Sequence, residues 1–566
     1  MPPGAKGIRK KFGEKLSRGL TVTELALAVS VFLVLCGNVS FFRHFFEIYP
    51  PTWGRLPFLA SAFLAIVCVT SLFFLVFGAR RTLKPLLVLV LLISSVAAYS
   101  MDTFNVVMDL EMIRTVFQTN PAEAVDLFTW KLALRFLLLG VLPAILVCKA
   151  KVSRRETLTL EFLSRLKSVA LLVALTIAAG VAFSANYYSF FRMHKSGRLY
   201  VNPCAWIFYT AKYAKHSLWG VKAVTLRPIG TDAVISRRDI DRELIILVIG
   251  EAVRADRFSL NGYEKETNPL LSKEDVVSFS NFYSSGTLTS FSVPCMFSVY
   301  GRNEYTHKKG RETENLLDLL TRAGVNVLWR ENNSTSKGAA DRVAVEDFQT
   351  PANNPVCDVE CRDIGMLSGL QEHIDRAREQ DILIVLHQMG NHGPAYYKRY
   401  PGEFEKFTPV CKTTKLENCT SEEIGNAYNN AILYTDYFLS QVIELLKRNT
   451  GKFETAMVFV GDHGESLGEN GVYLHGLPYF MAPDVQKHVP AIMWFGESFK
   501  IDTASLKAKA DLPFSHDHLF HTILGMMEIE TEVYDRRLDI INFSSAPSTT
   551  ASLGDNPRDI RNGGPR

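Results

Sequence analysis

Two regimes of hydrophobic patterning divide the chain. Over the first 190 residues the apolar side chains come in five long runs almost free of charge, at 24–42, 56–78, 83–99, 132–149 and 168–185. Each is close to the ~20 residues that carry a helix across a bilayer. Core helices of a soluble domain are the alternative, but they seldom run so far without charge. From residue 243 the runs shorten to "LIILVI", "NVLW", "ILIVL", "AMVFV" and "PAIMWF", at 244–249, 326–329, 382–386, 456–460 and 490–495. Periodic stretches such as "TENLLDLLTRAG" and "NAYNNAILYTDYFLSQVIELLKR" separate them. Continuous apolar strands alternating with helices predict a largely parallel sheet covered on both faces.

The pattern thus predicts an α-helical domain of five spans over 1–186 and an α/β domain over 241–543. Between them, 187–240 mixes aromatic and basic residues, as suits a bridging segment on the membrane surface; a plain linker helix is the alternative. The tail 544–566 is rich in Ser, Pro, Gly and Arg and is expected to be disordered.

Charge sets the orientation. The segments 6–18, 79–84 and 149–167 are basic, whereas 43–55 is mixed and 101–130 mainly acidic. Lys and Arg stay on the cytoplasmic side, so the N-terminus is inside and, after five crossings, the α/β half is outside. Four further spans argue against a cleaved signal peptide. A net charge of +4 over 566 residues gives no reason to expect a nucleic-acid partner.

Of nine cysteines, Cys36, Cys68 and Cys148 lie in or at the edge of spans. Cys357 with Cys361 and Cys411 with Cys419 are short-range pairs, which in an oxidising compartment read as loop-closing disulfides. A metal site is the rival for the first pair. Cys204 and Cys295 have no obvious partner.

In open α/β sheets, ligands bind beyond the carboxyl ends of the strands. Here those ends are followed by Glu251, by "RENNSTSKG" with Ser334 and Lys337, by "HQMGNHG" with His387 and His392, and by "GDHGES" with Asp462, His463 and Glu465. His475 follows a little further on. One such residue would more often be structural; four strand ends supplying them together indicate a site. Glu251, Asp462 and His463 form an O,O,N set for a divalent cation, zinc or manganese. A hydroxyl from "SSGTLTSFSVPC" (284–295), which holds six hydroxyls in twelve residues, would complete it. Bound to the metal, that alcohol would be activated as a nucleophile.

The series "GEAVRADRFSLNGYEKETNP", "GTLTSFSVPCMFS", "WRENNSTSKG", "HQMGNHGPAYYKRYP", "GDHGESLGENGVYLHG" and "SHDHLFHTILG" resembles the motifs of the bacterial lipid A phosphoethanolamine transferases. That family includes the mobile colistin-resistance enzymes and belongs to the alkaline-phosphatase-like superfamily. The resemblance implies five spans plus an alkaline-phosphatase/sulfatase-like periplasmic domain. It implies Thr289 as nucleophile, with Glu251, Thr289, Asp462 and His463 as zinc ligands. It places substrate contacts on Thr119, Glu123, Ser334, Lys337, His392 and His475, with His387 and Glu465 as candidates for supporting these groups from behind. Thr115 stands where many relatives have asparagine. Relatives usually carry a cysteine before "GT" where this chain has Ser285, so Cys295 is expected to lack that partner and the loop to be more mobile.

The reaction implied is a ping-pong transfer of phosphoethanolamine from phosphatidylethanolamine, through Thr289, to a lipid A phosphate. It would be performed by a monomer in the bacterial inner membrane and would give polymyxin resistance. His392 or His475 would protonate a leaving oxygen or hold phosphate. Transfer to a lipopolysaccharide core sugar, phosphoglycerol transfer, and a catalytically silent receptor or scaffold are the alternatives. A sulfatase is disfavoured, because "CxPxR" and "SxPxR" are absent from 284–295.

Overall fold

The computed structural model describes residues 19–79, 81–119, 124–125, 127–153, 158–194, 197–218, 226–236, 241–377 and 379–542. Glu123, the basic segment 6–18, the tail 544–566 and parts of 187–240 lie outside the described residues.

The N-terminal half is helical. Helices α1 (Val22–Gly37) and α2 (Val39–Ile48) are followed by α3 (Leu56–Phe77), α4 (Leu83–Phe104), the short α5 (Leu110–Gln118), α6 (Trp130–Lys149) and α7 (Leu158–Ala182). Four of these, α3, α4, α6 and α7, are long and apolar enough to cross a membrane. The bent pair α1–α2 makes a fifth if counted as one span.

The run 24–42, expected as one uninterrupted span, is therefore a broken one, bent by 65°. The cause is a buried amide clamp. Asn38 Nδ2 donates to the carbonyls of Leu33 (3.0 Å) and Asn202 (2.7 Å), and Asn38 Oδ1 accepts from Asn202 N–H at 2.8 Å. Asn202 Nδ2 in turn donates to Gly37 O and Ser94 O, both at 3.0 Å. Carbonyls freed by the break thus find donors, as they must where water is excluded. Just beyond it, Asp102 accepts from Ser40 N–H at 2.9 Å and pairs with Arg135 of α6.

After α7 come α8 (Ser184–Met193), which starts three residues before the expected bridging segment, and α9 (Cys204–Leu218) within it. The C-terminal half is built on a seven-stranded sheet. Its strands are β1 (Glu243–Gly250), β2 (Val276–Phe279), β3 (Asn326–Glu331), β4 (Ala344–Asp347), β5 (Ile382–His387), β6 (Glu454–Gly461) and β7 (Ala491–Phe495). The order is β2-β7-β6-β1-β5-β3-β4, parallel throughout except that β7 runs antiparallel to both neighbours. In β1, Ile245, Leu247 and Ile249 enter one core while Leu244, Ile246 and Val248 enter the other. Burial on both faces is why the run carries no polar alternation.

The two halves share a core, since Leu477 and Ala482 pack into the cluster formed by the membrane helices. Above it, Glu111 of α5 pairs with His307 at 2.7 Å. The amide clamp is open to test. Replacing Asn202→Ala removes the donor to the Gly37 carbonyl at the break and the second donor to Ser94 O, and should cost about 1–3 kcal/mol, read as a lower unfolding midpoint of the full chain in detergent. An unchanged midpoint would mean the clamp does not hold the bend.

Candidate active site

Strand register brings the first two groups together. Ile249 is paired with Val460 and Gly250 with Gly461, and Asp462 N–H donates to Gly250 O at 2.8 Å. Glu251 and Asp462, the next residues on two adjacent parallel strands, therefore sit side by side, with no solvent exposure. His463 follows, and its Nδ1–H donates to Gly464 O at 2.9 Å, which turns Nε2 inward. Gly464 has no room for a side chain, because a Cβ would lie 2.0 Å from Val485 O.

Thr289 opens helix α10 (Thr289–Met296). Its Oγ1 lies 2.9 Å from Glu251 Oε2 and 3.2 Å from His463 Nε2. The expected ligand set thus converges from two strand ends and one helix start.

The donor set fits a divalent cation. Glu251 Oε1 and Asp462 Oδ2 are buried with no hydrogen-bond partner among the described residues, and each lies 3.4 Å from His463 Nε2. Two buried carboxylates this close require a positive charge between them. Burial by itself would lower the His463 imidazole, yet Asp462 and Glu251 drive it up to about 10. Burial, reinforced by Glu251, pushes Asp462 up to about 7. A cation at this point removes the need for either proton. Glu251 also belongs to a second set with His392 and His475, whose ligand atoms likewise lie within 4.8 Å of one another.

Above these groups is a small cleft. Ser334, Lys337, His392 and His475 line it, as do Thr115 and Thr119 from the membrane half. Lys337 Nζ contacts Ser334 Oγ, and Ser334 donates to Asn333 Oδ1 at 3.0 Å. The His392 and His475 rings meet edge to face, with centroids 5.9 Å apart.

The two supporting candidates stand behind this wall. Glu465 lies 3.3 Å from His475 Nδ1, its carboxyl raised to about 8 by burial. His387 Nδ1 is 3.0 Å from Glu331 Oε2, so it is anchored on β3 rather than to a ligand.

Known proteins show the same architecture. Residues 66–218 match a family model described as "Phosphoethanolamine transferase EptA/EptB", and residues 243–529 match the "Sulfatase" model. The chain is 40% identical to the phosphatidylethanolamine transferase Mcr-1 of Escherichia coli, covering 92% of this chain and 97% of that protein. It is 38% identical to the phosphoethanolamine transferase EptA of Salmonella typhimurium, over 91% and 95%.

The chain belongs to the phosphoethanolamine transferase family.

The solved structure of the integral membrane EptA of Neisseria meningitidis superposes with a TM-score of 0.88 at 35% identity, covering 93% of this transferase and 99% of that chain.

Other groups at the site of the transferase were not singled out from its sequence. Asn333 Nδ2 donates to Glu251 Oε2 at 2.7 Å and to Gln388 O at 3.1 Å, holding the carboxylate in place. It sits inside "RENNSTSKG", but which of two adjacent asparagines turns inward depends on where β3 ends. Gln118 of α5 also lines the cleft. Cys357–Cys361 and Cys411–Cys419 are disulfides.

Cys295 is free and buried, its thiol pushed up to about 12 by burial although the Ser285 hydroxyl hydrogen-bonds to it. Cys204 lies elsewhere, against Thr70 of α3. The stretch 284–295 is tied down by His516 instead. His516 Nε2–H donates to Gly461 O at 2.9 Å, so Nδ1 accepts from Ser285 N–H at 3.1 Å.

Two expectations follow for this transferase. Ser285→Cys should form a disulfide with Cys295 and slow amide hydrogen exchange across 284–295; equal protection would show that His516 already immobilises the loop. His516 is neutral in the fold, burial lowering it from 6.5 to about 4. Its stabilising contribution is whole above its unfolded value near 6.5 and is lost as pH falls toward about 4. His516→Gln should therefore be less stable than wild type by about 1–3 kcal/mol at neutral pH. That gap should narrow near pH ~5 in unfolding followed by tryptophan fluorescence. A gap independent of pH would exclude the neutral strut.

Proposed function

We propose that this transferase moves phosphoethanolamine from phosphatidylethanolamine to a phosphate of lipid A through a covalent intermediate on Thr289. The observation that carries this is the position of Thr289 Oγ1. It lies between Glu251 and His463 at the floor of a cleft whose opposite wall, Thr115 and Thr119, comes from the membrane half. A hydroxyl so placed acts on substrates presented at the bilayer. The relatives support both ends of the transfer. Mcr-1 is named for phosphatidylethanolamine and the meningococcal protein for lipooligosaccharide.

Glu251, Thr289, Asp462 and His463 would hold the cation, taken here as zinc. Bound there, zinc would lower the pKa of the threonine hydroxyl and offset charge at phosphorus. Thr289 Oγ attacks the phosphorus of phosphatidylethanolamine. The Thr289 hydroxyl proton passes to His392 or His475 as the Oγ–P bond forms, the bond from phosphorus to the diacylglycerol oxygen breaks, and the same imidazole hands that proton to the leaving oxygen. Lys337 offsets phosphate charge, and Ser334 orients it. A protonated lipid A phosphate oxygen then attacks the same phosphorus; the Oγ–P bond breaks, and the proton lost by the attacking phosphate passes through the same imidazole to Thr289 Oγ.

The added ammonium offsets the negative charge of lipid A, which weakens binding of cationic peptides such as colistin. Donor and acceptor both being lipids, the helical half is placed in the inner membrane with the N-terminus inside and 241–543 in the periplasm, the protein acting as a monomer.

Lipid A mass spectrometry on cells expressing wild type should show a phosphoethanolamine adduct, and cells expressing Thr289→Ala should show none. Unmodified lipid A in both, with phosphoethanolamine on core sugar, would move the acceptor; an adduct surviving Thr289→Ala would remove the threonine from its role. Stripping the purified protein with a zinc chelator should abolish diacylglycerol release, and zinc should restore it. Recovery with manganese alone would identify a different metal.

A further inference from the structure

The stretch 284–295 holds six hydroxyls, and their hydrogen bonds sort them. Ser284 donates to Gly286 O at 2.6 Å, Thr287 to Leu477 O at 2.6 Å and Ser292 to Asp462 O at 2.7 Å. The Ser285 hydroxyl meets His516 Nδ1 at 3.2 Å, and Thr289 meets Glu251. Ser290 alone is left over. It is 5% exposed, its Oγ has no hydrogen-bond partner among the described residues, and it lines the cleft beside Thr289. A buried hydroxyl without a partner is costly, so a site that keeps one has a use for it when occupied.

Its surroundings indicate the ligand atom. Ser290 is the second residue of α10, an eight-residue helix with no side-chain cap at its N-terminus. Phe291 N–H already donates to Leu288 O at 3.0 Å, which leaves the Thr289 and Ser290 N–H groups of the first turn without an intrahelical acceptor, and that end of the helix attracts negative charge. Thr115, which lines the same cleft, has an Oγ1 that is also buried without a partner among the described residues. Lys337 supplies a cation to the same cleft. Hydroxyl donors, free amides and an ammonium suit an anionic oxygen rather than the ethanolamine amine.

We propose that the Ser290 hydroxyl donates to a non-bridging oxygen of the phosphoryl group while it is attached to, or being transferred by, Thr289. The proposal rests on the function proposed above and adds a catalytic contact to it. Such a donor strengthens as charge builds on the transferring group, so it acts on turnover more than on substrate binding.

The test uses the zinc-loaded full chain in detergent micelles with phosphatidylethanolamine, following diacylglycerol release. Wild-type turnover and its loss in Thr289→Ala check the underlying function separately. With those in place, Ser290→Ala should lower kcat by about 100-fold with KM changed less than roughly twofold and zinc content intact. Ser290→Thr, which keeps the hydroxyl, should recover most of the rate. A phosphatidylethanolamine analogue with sulfur at a non-bridging position should slow wild type by a larger factor than Ser290→Ala, because the variant has already lost the contact. A kcat within about twofold of wild type, an equal sulfur effect in both proteins, or a folded Ser290→Thr as slow as Ser290→Ala would each overturn the assignment.

Discussion

Two carboxylates without solvent, side by side, set the terms for the catalytic half. Glu251 and Asp462 are neighbours because β1 and β6 are paired up to Gly250 and Gly461, and neither oxygen pair can reach water. Much of the surrounding structure answers that concentration of charge. Asn333 and the amide of Ala252 each donate to one carboxylate, at 2.7 and 3.0 Å. The Gly464 carbonyl fixes the tautomer of His463, and Thr289 is brought in at the start of a helix. What these groups leave unpaired, Glu251 Oε1 and Asp462 Oδ2, is where a divalent cation belongs. The same feature that makes the site expensive to bury underlies the proposed activation of the Thr289 hydroxyl.

The second constraint is that the cleft is incomplete without the membrane half. Thr115, Gln118 and Thr119 all come from α5 or its C-terminal cap. That helix is held over α10 by the pair between Glu111 and His307, the latter opening α11 (His307–Glu312). Leu477 and Ala482 reach the other way, into the core of the membrane helices. Site geometry is therefore coupled to how the halves pack, as suits an enzyme whose proposed substrates both arrive from the bilayer.

The legible and illegible parts of the fold differ for a physical reason. The five apolar runs of the C-terminal half became β1, β3, β5, β6 and β7, because strands buried on both faces must be apolar throughout. The edge strands β2 and β4 were not read, since "VVSF" and "AVED" border solvent and carry no such pattern. The break after Gly37 was also hidden. Asn38 looks like one polar residue in an apolar run, and its effect depends on Asn202, far along the chain. Glu251, Asp462 and His463 stood out because strand ends are where ligands gather. Asn333, His516 and Ser290 did not, since each matters only through a partner, or the lack of one, brought near by folding.

By itself the sequence determined which segments are apolar enough to cross a membrane, which form the inner strands, and which ionisable residues follow them. These are local properties of composition and period, and they survive without coordinates. Only the tertiary structure decided that Gly250 pairs with Gly461, that α5 closes the cleft from the membrane side, and that His516 ties Ser285 to the end of β6. It also distinguished six chemically similar hydroxyls, leaving Thr289 at the carboxylates and Ser290 beside it without a partner among the described residues. Hydrogen-bond satisfaction is a property of the packed chain, and no run of residues states in advance which donor will be left without an acceptor.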